Sequence, residues 1–150
     1  MPTVEFHILS EAGDIARMRY ACQLVDAAYS QGKRIVIHVS DDNEAQKLDD
    51  MLWTFRDQAF IPHEIATAQS HEIATAQSPA NARIMALIGT SVPDSFSTQL
   101  INIGTAIPAK LESLQHVIEV VDADAQRKQQ ARERYKQYRE LGCTLETKNL

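Results

Sequence analysis

The sequence predicts an α/β fold with a mostly parallel sheet, and three observations carry that reading. Short apolar runs alternate with helical periodicities from the start, the runs are rich in β-branched residues, and a crossover helix is how parallel neighbours are joined. Val4 to Leu9 (VEFHIL) is apolar at alternate positions and reads as a first strand. Ile15, Met18, Cys22, Val25 and Tyr29 then step by three and four as the inward stripe of a helix, which Gly32 ends. Arg34 to Val39 (RIVIHV) is the type of run found in a strand covered on both faces. Ser40, Asp41 and Asp42 offer cap oxygens to a second helix, whose stripe is Ala45, Leu48, Met51, Leu52 and Phe55.

Later strands are predicted at Ile84 to Ile88, Gln99 to Ile103 and Val117 to Val121. The last runs into Asp122 and Asp124, which cap a basic helix that Gly142 stops. Pro93 with Asp94, and Pro108 after Ile107, mark turns. No boundary divides the chain, so residues 1–150 are read as one domain.

Composition narrows the function classes. Hydrophobic content of 44% with 23% charged residues is that of an ordinary globular domain. No N-terminal signal layout and no apolar run of about 18 residues occurs, which predicts a cytoplasmic protein without a membrane span. Cys22 and Cys143 lack the spacing of a zinc site or a disulfide framework and read as packing thiols. No phosphate-binding glycine loop and no GxSxG elbow is present, so a nucleotide-binding loop, a cofactor and an enzymatic nucleophile are all unsupported. His7 and His38 lie within strands and read as structural histidines, and the Asp41–Asp42 and Asp49–Asp50 pairs as caps and solvated helix face. The octapeptide HEIATAQS occurs twice without change, at His63 to Ser70 and His71 to Ser78, as a duplication that a loop absorbs at small entropic cost. Its His-Glu pairs are not HExxH and have no third partner, so no metal site is expected.

The charge pattern points to binding. From Arg127 to Arg139 the sequence RKQQARERYKQYR has six Lys or Arg against Glu133 alone, a local excess of five positive charges in a chain of net charge -5. Lys128, Arg132, Tyr135 and Arg139 recur at i, i+4, i+7 and i+11, one narrow helical stripe. A charged stripe is often only a solvated face. An aromatic body among cations, however, suits a ligand with an apolar side chain beside a carboxylate, such as an acidic peptide. The acidic remainder opposes extended polyanions and argues against direct nucleic-acid binding. Trp53 falls roughly 140° from the centre of its helix's apolar stripe and points outward, toward a partner or toward another loop of the domain. Phe60-Ile61-Pro62-His63 reads as an edge strand or an exposed knob, or as residues closing the core beneath the loop.

LDDMLWTF at Leu48 to Phe55, AFIPH at Ala59 to His63 and ARERYKQYRELG at Ala131 to Gly142 together resemble the chi subunit of bacterial DNA polymerase III. The resemblance implies a three-layer, Rossmann-like α/β fold without a nucleotide-binding loop and a non-enzymatic accessory role. It implies two partners: the psi subunit of the clamp-loader complex, and the acidic C-terminal tail of single-stranded-DNA-binding protein, which ends in Pro-Phe and a free carboxylate. Contact with DNA is then indirect. Carried over residue by residue, the tail site comprises Lys128, Arg132, Tyr135, Lys136 and Arg139, with Trp53 alongside, and the psi side comprises Phe60, Ile61 and Pro62. In some members a helicase-like partner uses that second patch. The octapeptide duplication departs from the family pattern. Two competing readings are a small-molecule α/β enzyme, which requires a polar pocket at the carboxyl ends of the strands, and a nucleic-acid-binding module using the basic helix.

Overall fold

The alternation in TVEFHI produces alternating burial, and Thr3–Ile8 forms β1 of the computed structural model, which describes residues 1–55, 61–66, 84–91 and 96–150. The chain continues through α1 (Asp14–Ser30), β2 (Ile35–His38), α2 (Asp42–Thr54), β3 (His63–Ile65), β4 (Ala86–Gly89) and β5 (Gln99–Asn102). A 3-10 turn at Leu111–Ser113 precedes β6 (His116–Val121), α3 (Ala125–Glu140) and β7 (Thr144–Asn149). The strands form one sheet in the order β3-β4-β2-β5-β6-β1-β7. Among the described residues every pairing is parallel, a stricter arrangement than the mostly parallel sheet predicted.

Two cores follow from the two faces of the sheet. On one, α1 and α2 bury Met18, Cys22, Val25, Leu48 and Leu52 against Ile37, Ile101 and Val120. On the other, α3 sets Ala131 and Tyr138 against Val4, Phe6 and Val117. Helices on both faces make this a three-layer, Rossmann-like fold. Cys22 lies in the first core, where burial pushes its thiol up to about 12.

Several helix details depart from the periodicity. Ile15, assigned to the inward stripe of α1, is 63% exposed, and Tyr29 is also exposed. The buried set is Arg17, Met18, Ala21, Cys22, Val25 and Ala28, and its centre lies roughly 100° from Ile15. The stripe turns because Arg17 has internal carboxylate partners and goes inside. Asp41 caps α2 by accepting the Glu44 N–H at 2.8 Å, and the Glu44 carboxylate accepts the N–H of Ser40, the residue before the cap, at 3.0 Å. Asp124 caps α3, taking the Arg127 N–H at 3.0 Å, and Asp122 accepts the Asp124 N–H at 3.1 Å through Oδ1 while its Oδ2 turns toward α1. Gly142, at φ 88°, ends α3 with its N–H on the Arg139 carbonyl at 3.1 Å. Leu141 is exposed rather than part of the inward face, which Arg134 joins instead.

The edge strand near Pro62 is His63–Ile65, and Ile61 just before it is buried in the α1–α2 core. β7 is an element that the apolar pattern did not predict, because TLETKN has one aliphatic side chain in six residues. The turn at Pro93 and Asp94, Phe60, and the octapeptide duplication beyond Ala66 lie outside the described residues.

Candidate anion-binding groove

Helix α3 leaves β6 and returns as β7 on the far side of β1, so it lies across β1. Its inward face is Ala131, Arg134 and Tyr138. A guanidinium is tolerated inside because Glu119 of β6, fully buried, lies beneath it. Arg134 donates from Nε to Glu119 Oε1 at 3.2 Å and from Nη1 to the Thr105 carbonyl at 3.1 Å. The Tyr138 hydroxyl and Asn102 Nδ2 donate to Glu119 Oε2 at 2.5 and 2.8 Å. Burial pushes the Glu119 carboxyl up, against the opposing pull of Arg134, Tyr138 and Asn102, and burial pushes the Tyr138 phenol up as well. Asn102 also contacts His38 Nδ1 through Oδ1 at 2.9 Å, and His7 contacts the Tyr20 hydroxyl at 2.5 Å and Glu5 at 3.0 Å. Both histidines thus have the packed, partnered setting of structural residues.

With its inward face fixed, α3 turns Lys128, Arg132, Tyr135, Lys136 and Arg139 toward a groove of about 610 Å³. Phe6 and Ile8 of β1 and Val121 of β6 form an apolar floor, and Thr147 and Asn149 of β7 the far side. Tyr135 packs on Phe6 with ring centroids 5.4 Å apart and planes at 52°, which fixes the aromatic wall. Among the described residues no carboxylate forms an ion pair with Lys128, Arg132, Lys136 or Arg139. Among the described residues Arg132 has only a 3.4 Å contact with Gln129, and Glu133 is the one acidic side chain lining the groove. The sequence-predicted stripe is therefore brought together, over a floor that the stripe itself did not reveal. Alternation in β1 puts Phe6 and Ile8 on one face, but only the crossover decides that α3 covers it.

Trp53 is not part of this groove. It is 57% exposed on α2, in the other helical layer, with its ring 5.2 Å from that of His63 in β3. β3 and β7 are opposite edges of the sheet, ~29 Å apart at about 4.8 Å per strand. Pro62 is half-buried beside β3, and the Ile61 side chain, 1% exposed, is closed off in the core.

A third feature lies at the carboxyl ends of the strands, where doubly wound sheets hold anionic ligands. There Asp122 accepts the Gly13 N–H at 3.1 Å and Arg17 Nη1 at 3.2 Å, so an internal carboxylate sits at the start of α1.

The family model described as DNA polymerase III chi subunit, HolC, matches residues 1–146. The chain belongs to the DNA polymerase III chi subunit family. The subunit chi of Pseudomonas aeruginosa is 31% identical over 150 residues, spanning all of this chain and 98% of the relative. That of Haemophilus influenzae is 30% identical over 148 residues, 99% of this chain and 97% of the relative. That of Escherichia coli is 31% identical over 130 residues, 84% of this chain and 80% of the relative. Membership makes the chain a replication accessory subunit of DNA polymerase III, and the chi designation points to a non-catalytic role. Among the described residues no helix is long and apolar enough to cross a membrane.

Proposed function

We propose that the chain is a non-catalytic adaptor that links the clamp-loader complex, through psi, to the acidic C-terminal tail of single-stranded-DNA-binding protein. One observation carries the tail assignment. Four cations of α3 face an apolar-floored groove, with no carboxylate in an ion pair with them among the described residues, beside the packed ring of Tyr135. A terminal carboxylate and its acidic neighbours supply the missing charge, and an apolar terminal side chain finds the Phe6 and Ile8 floor. We assign Trp53 to the psi side rather than to the tail site, because α2 lies in the helical layer opposite α3. It stands beside His63 of β3, next to Pro62, while Ile61 supports the surface from inside. A helicase-like partner would compete for that edge rather than for the groove.

A small, charge-rich contact of this kind has an affinity on the order of micromolar and weakens with salt. Fluorescence titration with the tail peptide tests it: Arg132→Ala is expected to bind about tenfold more weakly. Unchanged affinity in that variant sinks the proposed groove. The enzyme reading is less well supported: at the strand ends Asp122 and Arg17 pair with each other, and the glycine loops are missing from the sequence.

A further inference from the structure

The far side of the groove, Thr147 and Asn149, is a sheet edge. β7 pairs with β1 alone, in unbroken register from Thr144 to Asn149. Leu150 donates its N–H to the Ile8 carbonyl at 2.9 Å, so the even-numbered residues of this segment turn their backbone groups toward β1. Leu145, Thr147 and Asn149 consequently aim their N–H and C=O groups outward. Among the described residues nothing hydrogen-bonds them.

Register adds a second fact. Thr147 lies beside Phe6 and Asn149 beside Ile8, so the side chains of these residues project on the face that α3 covers, and both line the groove. The residues that wall the groove are thus the ones that present the open backbone. The charged side chains of the strand, Glu146 and Lys148, project on the opposite face, where Lys148 lies 3.7 Å from Glu5. Edges are usually protected by proline, a bulge or inward charge, and TLETKN has none of these on the groove face. The opposite edge, β3, offers only three residues.

We propose that the acidic peptide is held in the groove as an eighth strand, hydrogen-bonded along the outer edge of β7 through Leu145, Thr147 and Asn149. The inference rests on the tail assignment above and deepens it. Backbone pairing holds an extended peptide irrespective of its sequence, while the α3 cations and the Phe6 floor select its charge and its apolar terminus.

The test uses the full chain and an acidic peptide ending in Pro-Phe with a free carboxylate. Thr147→Pro removes one outward N–H without touching the bonds to β1, and edge positions of that kind accept proline. It is expected to weaken binding about tenfold relative to Thr147→Val, which keeps the backbone donor. A second measurement leaves the protein unaltered and so holds even if Thr147→Pro fails to fold. Peptides N-methylated at one set of alternate positions lose affinity, and those methylated at the other set do not. Equal binding of both sets, or parent-like binding by folded Thr147→Pro, overturns the eighth strand, and the groove assignment survives if Arg132→Ala is still weaker. Failure of the parent to bind the unmodified peptide overturns both.

Discussion

Two clusters in this molecule use cationic side chains to opposite ends. At the start of α1, Arg17 is 1% exposed and meets Asp14 at 2.9 Å, Asp122 at 3.2 Å and Glu44 at 3.2 Å, with the Ile103 carbonyl on its Nε. Along α3, Lys128, Arg132, Lys136 and Arg139 line a groove without one carboxylate partner among the described residues. In the first, the guanidinium is fully matched by carboxylates and serves to join α1, α2 and the β6 end. The second is incomplete and has capacity for an external anion. Arg134 sharpens the contrast, since it belongs to the same basic helix as the groove and yet is spent internally on Glu119. Counting cations does not locate a binding site; finding those without a counter-charge does.

The comparison breaks most visibly at Arg17. Arg17→Ala leaves Asp122 and Glu44 without their guanidinium, and removal of one partner from a buried ion pair costs about 3–5 kcal/mol. Urea unfolding measures it, and a loss below about 1 kcal/mol would mean that the cluster is not a structural clamp. Tyr138→Phe is expected to cost less, about 1–3 kcal/mol, because Glu119 loses one donor but keeps Arg134 and Asn102. A cost near zero there would separate Tyr138 from the support of α3. Arg132→Ala should change stability by no more than about 0.5 kcal/mol while weakening the tail peptide, the opposite balance from Arg17. If it unfolds the protein instead, the two clusters are not different in kind.

How much of this was legible in the sequence follows from the range of the signals. The groove cations are within twelve residues of one helix, so a local period displayed them together. The alternating and β-branched runs likewise displayed β1, β2, β5 and β6, and Gly142 displayed the end of α3. Arg134 and Glu119 were hidden because their pairing joins a helix to a strand 15 positions earlier, which no local pattern encodes. β7 was hidden because an edge strand with one face open needs little apolar alternation; pairing with β1 defines it. Trp53 was rightly read as outward-facing but assigned beside α3, and only the strand order, a nonlocal property, separates the two edges. Ile15 and Arg17 exchanged roles because apolarity was weighed without the carboxylates that make a buried arginine tolerable.

The smallest expected effect lies at the margin between the two clusters. Asp14 belongs to the Arg17 clamp at 2.9 Å and also reaches Arg127, on the first turn of the basic helix, at 3.9 Å. The hydrogen bond from Arg17 holds its carboxyl below the usual value of 3.8, burial opposes this, and the charges of Arg17 and Arg127 reinforce it. A carboxyl depressed in the folded state contributes stability that is present above its unfolded pKa and lost as pH falls through the folded one. Asp14→Asn should therefore be less stable than the parent at about pH 5, and that difference should shrink toward about pH 2.5. Because the Asp14 side chain is more than half exposed, solvent screening keeps the effect small. A difference that stays constant across that interval would mean that Asp14 acts through its position at the start of α1 rather than through its charge. The bond to Arg127 would then contribute nothing to setting α3 over its groove.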